Sequence, residues 1–409
     1  MQSEWRNVEA ATLKTFQNHR PSEYFSHLSD EGAFVDHLAR VEDLYRFGLC
    51  LPPEFFDGKT VIDLGSGTGE NSISLAVWGA SCTLVDLNPE AIERAELVFD
   101  QRAPVGNRHR FIASSLFDLA ECDLNETFDV AHSRGVFTHV KDKARAFRIL
   151  ASYARPGGYV IYGDRNVCGG VQEMLQRLCI YSIAKNTDEM IEVAETLFWE
   201  DIDASQAAVP RTREAIIFDR WVIQQQDDPS ISEVLNMMSA EGIEYVSSWP
   251  KIEFSGRGTS TYTPPSNLSA LVSGSALTES LWMLMRGGEE DAQNCGVDSD
   301  QLMSYAAQLH ETAGLLRNLQ TSSNVDQAQL RNSFVQLSER TLQVWDARPA
   351  WATKAEEFYK EVDHLLLALS NGESATDLRA LIDSFDWLFK GRVGVRHVDY
   401  VGFKPASSP

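Results

Sequence analysis

The sequence is poor in basic residues for a chain of its length. Its 36 lysines and arginines stand against 59 aspartates and glutamates, which gives a formal net charge of −23. A protein that binds long nucleic acids needs a basic surface that neutralises the phosphates. The charge balance therefore disfavours nucleic acid as the partner, although a local basic patch remains compatible with it.

Cysteine pairs, metal-binding histidine spacings and long apolar runs are also missing. The six cysteines are scattered without a C-x-x-C pair, and the nine histidines form no H-x-x-H pattern. This usage is typical of reduced thiols in a cytosol and gives no signal of a disulfide framework or a metal site. The first residues lack the apolar run of a signal peptide, and no stretch reaches the roughly 18 apolar residues of a membrane span. The sequence thus predicts a cytoplasmic protein with no membrane span, assigns no residue to a metal and leaves open whether a metal assists.

Strand-like and helix-like patterns alternate from residue 59 onward. Short apolar runs, each read as a strand, occupy residues 60–65, 81–88, 108–116, 127–136 and 155–164. Helical patterns separate them, which predicts βαβ units and a doubly wound, mostly parallel α/β sheet.

The chain divides into four predicted segments. They are an N-terminal helical segment (1–58), a core (59–288) that includes a cap insertion at about 166–228, a helical insertion (289–392), and a closing strand with a tail (393–409). In the helical insertion, apolar residues recur every three or four positions, as expected for antiparallel helices. Residues 250–276 are rich in Ser, Thr, Gly and Pro and are predicted to form a loop.

In the stretch VIDLGSGTG at residues 61–69, three glycines at alternate positions follow a short apolar run. A dinucleotide site would read G-x-G-x-x-G, but Glu70 stands where the third glycine is needed, which argues against a dehydrogenase. Asp63 would repel a pyrophosphate and suits a cationic ligand. Asp86 ends the next strand, at the position from which a carboxylate binds both hydroxyls of a ribose.

These motifs resemble those of the class I, seven-stranded methyltransferases that use S-adenosylmethionine. The resemblance rests on VIDLGSGTG, LVDLNPEAIERA, FDVAHSRGVFTHV and RPGGYVIYGD, in this order within about residues 59–165. SEVLNMMSAEGIEYVSSWPKIEF and YVGFKP are similar to the sixth-strand unit and closing strand of a bacterial subgroup, whereas residues 289–392 match nothing. The implied fold is a seven-stranded sheet with N-terminal helices, a cap insertion after strand five and a helical insertion before the last strand.

The resemblance implies S-adenosylmethionine as the cofactor and S-adenosylhomocysteine as its product. The implied cofactor-binding residues are Asp63, Gly65, Ser66, Gly67, Thr68, Gly69, Asp86, Leu87, Ser115, Leu116, Ser133 and Arg134. The residues from Asp63 to Gly69 in this list would frame the methionine moiety. Asp86 would hold the ribose and Leu87 would pack on the adenine. Ser115 and Leu116 would flank the adenine amino group, and Ser133 and Arg134 would close the pocket.

Catalytic candidates lie in the loops after strands four and five. His139 is the candidate general base, because acceptors of this fold bind at that rim. Asp164 and Arg165 either orient a polar acceptor or pair with each other. His132 is expected to be buried and structural. Weaker candidates for acceptor contacts are Tyr24, His27, Asp219, Arg220 and Trp221.

The sequence therefore predicts a methyltransferase that acts by in-line displacement on a small-molecule acceptor. A hydroxyl acceptor is favoured, because Ser133-Arg134-Gly135-Val136 replaces the (N/D)-P-P-Y box of amino-methylating DNA enzymes. Two alternatives remain open. One is a protein or nucleic-acid methyltransferase that uses the helical insertion for recognition, and the other is a cofactor-binding scaffold without turnover. The helical insertion is also a candidate surface for a homodimer or a protein partner.

Overall fold

A seven-stranded sheet forms the centre of the chain. The structure, a computed structural model, describes residues 2–19, 30–106, 108–122, 124, 126–208, 211–223, 227–252, 268–284, 299–317, 325–345, 349–390 and 397–406. The strands are β1 (Thr60–Leu64), β2 (Ser81–Asp86), β3 (Arg110–Ala113), β4 (Phe128–Arg134), β5 (Ala154–Arg165), β6 (Glu244–Trp249) and β7 (His397–Phe403).

The strand order is β3-β2-β1-β4-β5-β7-β6. The first five strands are parallel, whereas β7 runs antiparallel to both of its neighbours. This sheet confirms the predicted doubly wound, mostly parallel fold. Parallel strands place their carboxyl ends at one edge, and the antiparallel β7 brings its first residues to that same edge.

Fourteen α-helices surround the sheet within the described residues. In the first half of the chain they are α1 (Gln2–His19), α2 (Glu31–Asp43), α3 (Glu70–Val77), α4 (Pro89–Arg102), α5 (Lys143–Tyr153), α6 (Val171–Ile183), α7 (Thr187–Ala208) and α8 (Arg213–Ile217). In the second half they are α9 (Ile231–Ala240), α10 (Leu268–Leu284), α11 (Ser299–Arg317), α12 (Gln327–Trp345), α13 (Pro349–Ser370) and α14 (Ala375–Asp383). Two π-helical turns, Leu44–Gly48 and Phe218–Val222, continue α2 and α8. Within the described residues, no helix has the length and apolar character to cross a membrane.

The two faces of the sheet pack against different helices because successive strand residues point to opposite sides. Val61 of β1 belongs to the cluster formed with α2, α3 and α4. Its neighbour Ile62 belongs to the cluster formed with α5, α9 and α10. Both side chains are fully buried, so the sheet has a helical layer on each face.

A third core joins the cap insertion to the helical insertion. It contains buried side chains of α6, α7 and the second π-helical turn, such as Leu175, Leu197 and Trp221. The same cluster includes Leu309 of α11 and Phe358 of α13. The two insertions therefore bury one continuous apolar core.

The predicted loop at residues 250–276 is wrong in its last part, because α10 begins at Leu268. Its sequence has no apolar stripe of helical period, since polar residues are mixed all around it. Most of its described side chains are nevertheless buried, and Ser275, Thr278, Glu279 and Ser280 are among them. A helix buried on all sides does not show the amphipathic pattern on which the prediction depended.

Because the insertions share a core, we expect them to unfold together. Leu309→Ala removes a fully buried side chain, and we expect it to lower the free energy of unfolding by about 2–5 kcal/mol in a single transition. Leu367→Ala on α13 is the matched control: that side chain is 41% exposed, so the expected loss is below about 1 kcal/mol. Urea unfolding, followed by fluorescence and circular dichroism, measures both variants. A second transition in Leu309→Ala, with the first one unchanged, would contradict the shared core.

Candidate active site

The three glycines form a turn that carries the chain from β1 into α3. Gly65, Gly67 and Gly69 have φ values of 77°, 55° and 81°, a left-handed conformation that favours glycine. The backbone N–H groups of Gly65 and Ser66 both donate to the carbonyl oxygen of Val85, at 2.7 and 3.0 Å. The turn is therefore fixed to the end of β2, beside Asp86.

The turn is tightly packed at one glycine and open at another. A Cβ atom on Gly65 would lie 2.3 Å from Cγ2 of Val136, whereas among the described residues, apart from the two chain neighbours, no atom lies within 4 Å of a Cβ on Gly67. Ser66 is buried, and its Oγ has no hydrogen-bond partner among the described residues. An open backbone face beside an unsatisfied buried hydroxyl is suited to a bound polar ligand. Thr68, on the same turn, donates its hydroxyl to Oε1 of Glu70 at 2.9 Å.

Asp86 closes this turn from the end of β2. Its Oδ2 accepts the N–H of Gly67 and its Oδ1 accepts the N–H of Asn88, both at 2.8 Å. A carboxylate has about four acceptor sites, so about two remain for hydroxyl donors of a ligand. Burial raises the pKa of Asp86 above its usual value. Leu87, the next residue, is half-buried.

Asp63 lies beneath the turn and is almost completely buried. It accepts the hydroxyl of Ser72 at 2.5 Å and hydrogen-bonds to Nδ1 of His132 at 2.8 Å. Nε2 of His132 is 3.1 Å from the hydroxyl of Tyr45. This chain of polar groups connects β1, α3, β4 and the first π-helical turn. It confirms that His132 is a buried structural residue.

The loop after β3 is covered by the first helix. Ser115 is buried and donates its hydroxyl to Oε1 of Glu9 on α1 at 2.5 Å, and Leu116 beside it is buried as well. Burial raises the pKa of Glu9. Farther along α1, the ring of Phe16 contacts His139 edge to face, with 5.4 Å between the ring centroids. The helix thus extends over the loops that follow β3 and β4.

The two predicted residues of β4 point to opposite faces of the sheet. Ser133 is buried and donates its hydroxyl to the carbonyl oxygen of Leu64 at 2.7 Å. Arg134 donates Nε and Nη2 to the two carboxylate oxygens of Asp399, at 2.7 and 3.2 Å, and Nη1 to Oδ1 of Asn71 at 3.1 Å. Arg134 therefore links the glycine turn region to β7.

A histidine–aspartate pair on β7 completes this edge. Nε2 of His397 is 3.1 Å from Oδ1 of Asp399, and the His397 side chain is 32% exposed. Burial acts to raise the pKa of Asp399, but the charges of Arg134 and His397 outweigh it and hold that pKa well below its usual range. Burial lowers the pKa of His397. Neither residue was identified from the sequence, although both lie in the strand that was predicted to close the sheet.

Asp164, at the end of β5, is held beneath the loop that follows β4. Its Oδ2 accepts the N–H of Thr138 at 2.8 Å and the hydroxyl of Tyr162 at 3.2 Å. Burial, together with the nearby charge of Asp228, raises its pKa to about 7. His139 follows Thr138 and is half-buried under α1.

Arg165 and the predicted cap residues form an ionic network that joins β5 to the cap. Glu173 of α6 accepts Nη1 of Arg165 at 2.8 Å and Nε of Arg220 at 3.2 Å. Asp219 pairs with Arg165 at 3.5 Å and with Arg211 at 3.0 Å.

Trp221, the last of the predicted cap residues, is fully buried in the core of the insertions. Its Nε1 donates to Oε1 of Gln176 at 3.2 Å. Tyr24 and His27 lie outside the described residues. The structure therefore gathers the glycine turn, Asp86 and Arg134 at one edge of the sheet and places Trp221 away from it.

Comparison with known proteins agrees with this architecture. Residues 35–193 match a family model described as a methyltransferase domain. The ubiquinone biosynthesis O-methyltransferase of Nitrosospira multiformis is 34% identical over 109 residues, which are 27% of this chain and 44% of that protein. Its namesake in Vibrio atlanticus is 31% identical over 161 residues, or 39% of this chain and 64% of that protein. The chain spans about half the length of the curated relatives it matches.

The crystal structure of magnesium protoporphyrin IX methyltransferase from Synechocystis PCC 6803 with bound SAH is also similar. It has a TM-score of 0.37 and 15% sequence identity, and the alignment covers 59% of this chain and 91% of that one. The family match and the strand order confirm the class I methyltransferase fold.

The raised pKa of Asp164 predicts a pH-dependent stability. Its pKa of about 7 exceeds the ordinary value of roughly 3.9, so the folded state binds the extra proton between these two values. The stability that depends on this proton is complete below about pH 4 and is lost as the pH rises through 7.

We therefore expect Asp164→Asn to stabilise the protein at pH 8 by on the order of 2–4 kcal/mol, and by almost nothing at pH 4. Urea unfolding at both pH values measures this difference. Asp100→Asn, an exposed position on α4, serves as the control, and its effect is expected to be the same at both values. An equal effect of Asp164→Asn at the two pH values would show that folding does not raise the pKa of Asp164.

Proposed function

We propose that this chain, in which residues 35–193 match a methyltransferase domain, is an S-adenosylmethionine-dependent methyltransferase that acts on a hydroxyl group of a small molecule. The observation that carries the proposal is the glycine turn. Its open face at Gly67 and the unsatisfied Oγ of Ser66 lie beside the carboxylate of Asp86. This arrangement offers a polar ligand both hydrogen-bond acceptors and an open backbone face.

The residues of this edge fit S-adenosylmethionine better than a dinucleotide. Asp86 offers acceptor sites for the two ribose hydroxyls, whereas Glu70 occupies the position of the third glycine that a dinucleotide site needs. Ser66 supplies a buried hydroxyl, and Gly67 allows the ligand to approach the backbone. Ser115 and Leu116, enclosed by α1, would form the adenine end of the pocket.

When bound, S-adenosylmethionine supplies an electrophilic methyl group for in-line displacement. The protein then has to hold the acceptor oxygen in line with that methyl group, which contributes several kcal/mol to lowering the barrier. It also has to accept the proton of the hydroxyl. Groups for aligning the acceptor oxygen and for accepting its proton lie at one part of the edge, formed by the carboxyl ends of β4 and β5 and the start of β7.

A hydroxyl acceptor is supported by two observations. The relatives that match the chain are named ubiquinone biosynthesis O-methyltransferases. The edge also holds His397, which is oriented by the carboxylate of Asp399. An ionised carboxylate only accepts hydrogen bonds, so Nε2 of His397 carries the proton and Nδ1 is left as the basic nitrogen. Because burial lowers its pKa, this imidazole is neutral near pH 7 and can accept a proton.

We propose His397 as the general base, with Asp399 and Arg134 as positioning residues. His139 remains the second candidate, and its ring packs against Phe16. Asp164 and Arg165 stay candidates for orienting the acceptor, because both lie at the carboxyl end of β5.

Cofactor binding is the first test. We expect calorimetric titration to give micromolar dissociation constants for S-adenosylmethionine and S-adenosylhomocysteine and no binding of NAD. Asp86→Ala removes the ribose acceptor and one support of the glycine turn, so the affinity should fall about 10- to 100-fold. Asp100→Ala, an exposed site on α4, is the control that should bind normally. Binding of NAD alone, or equal affinities in the two variants, would overturn the cofactor assignment.

Proton removal is the second test, with S-adenosylhomocysteine release measured over a panel of phenolic and sugar hydroxyl acceptors. Once an acceptor is found, kcat should rise with pH as His397 loses its proton, below the ordinary histidine pKa of about 6.5. His397→Gln should lower kcat by about 10²- to 10⁴-fold and abolish that pH dependence. Its cofactor affinity should remain unchanged.

Two further substitutions complete this test. His364→Gln, an exposed position on α13, is the matched control and should keep the kcat and pH profile of the parent protein. Should His139→Gln abolish the pH dependence while His397→Gln retains it, His139 is the base and our assignment of His397 is wrong.

A further inference from the structure

Three side chains with metal-binding chemistry converge beyond the end of β5. Cys168 follows β5 in the loop to α6, Glu279 lies on α10, and His310 lies on α11. The Cys168 thiol, one Glu279 carboxylate oxygen and one His310 ring nitrogen all lie within 4.8 Å of one another. Cys168 and Glu279 are fully buried, whereas the His310 side chain is 34% exposed. None of these residues belongs to the edge of the sheet that carries the glycine turn, Asp86 and Arg134.

One asparagine positions two of the three groups. Oδ1 of Asn166 accepts the backbone N–H of Cys168 at 3.0 Å, and its Nδ2 donates to Oε1 of Glu279 at 2.8 Å. The N–H of Ile231 donates to the same Oε1 at 2.8 Å. The other oxygen, Oε2, is directed to Nε2 of His310 at 3.0 Å. Such outer hydrogen bonds orient the ligands of protein metal sites.

A cavity of about 160 Å³ adjoins the third group. His310 lines it together with Ser230, Ser232, Glu233 and Arg317. Polar side chains and this volume leave room for water molecules beside the imidazole. A site with three protein ligands and a fourth position open to water is the usual arrangement of zinc sites that are not purely structural.

We propose that Cys168, Glu279 and His310 bind one Zn²⁺ ion, whose fourth position faces this cavity. Sulfur, nitrogen and carboxylate oxygen are the ligands that Zn²⁺ takes, and the mixed set disfavours Mg²⁺ and Ca²⁺, which prefer oxygen alone. The ion would link the loop after β5 to α10 and α11, and so connect the sheet to the helical insertion.

The local charges are compatible with a cation. Glu279 contributes one negative charge, and Zn²⁺ binding displaces the Cys168 proton to solvent, which leaves a thiolate and adds a second. His310 must also release any proton on Nε2, because the metal uses that lone pair. Arg317 is the nearby positive charge, and it is paired with Asp227 at 2.7 Å and with Glu233 at 3.0 Å.

The test uses the whole chain, freed of metal by a chelator and then titrated with Co²⁺ as a spectroscopic probe. We expect one equivalent to bind and to produce the near-ultraviolet charge-transfer band of a cobalt–thiolate bond. Zn²⁺ should then remove this band by displacement, and it should raise the midpoint of thermal unfolding.

Two variants decide whether the band arises at this site. Cys168→Ser, a nearly isosteric change, should abolish the band and the thermal shift, and His310→Gln should weaken Co²⁺ binding at least tenfold. Cys179→Ser on α6, another buried cysteine, is the matched control and should retain both signals. Circular dichroism confirms that each variant is folded. Absence of the band in the parent protein, or its persistence in Cys168→Ser, would overturn the proposal, because the ion would then bind adventitiously or not at all.

Discussion

The geometry of the sheet edge that carries the glycine turn depends on the buried carboxylate of Asp63. A charge removed from water is costly unless hydrogen bonds satisfy it, and here Ser72 and His132 supply them. These partners belong to α3 and β4, so satisfying one carboxylate fixes both elements against β1. The glycine turn lies between them and is held on its other side by Val85 and Asp86. Its shape thus results from a constraint beneath it as much as from its glycines.

The end of β5, on the same edge of the sheet, depends on a different kind of contact. Glu173 lies between Arg165 and Arg220, and this ionic bridge fastens the cap to the end of β5. Behind it, the cap shares its apolar core with α11 to α14. The helical insertion is thus a structural support of the cap. Any recognition role of its outer surface would be additional to this packing role.

The parts of the fold that short stretches of sequence encode were predictable from the sequence. The glycine turn and the alternation of strands and helices are short-range features, and they predicted the sheet correctly, whereas the assignment of Asp86 and the turn to the cofactor stays a prediction. His397 and Asp399 were not identified from the sequence, because the pairing of β7 with β5 is what brings them to this edge of the sheet. No sequence motif spans that separation. The start of α10 was not predicted because polar residues are mixed with apolar ones along this helix, so its sequence shows no apolar stripe of helical period. The cluster of Cys168, Glu279 and His310 was not predicted from the sequence either, because its members come from three separate segments that meet only in the folded chain.

The antiparallel β7 has a consequence for the order in which the molecule is assembled. Within the described residues, β6 is hydrogen-bonded only to β7, so β6 can join the sheet only after a strand that is synthesised more than a hundred residues later. The ion pair of Arg134 forms later still after its own synthesis, because Asp399 lies 265 positions along the chain. During synthesis, β1 to β5 can pair before Asp399 is made. His397 therefore joins this edge of the sheet only with the last strand, and a chain interrupted earlier would lack the residue that we propose as the general base.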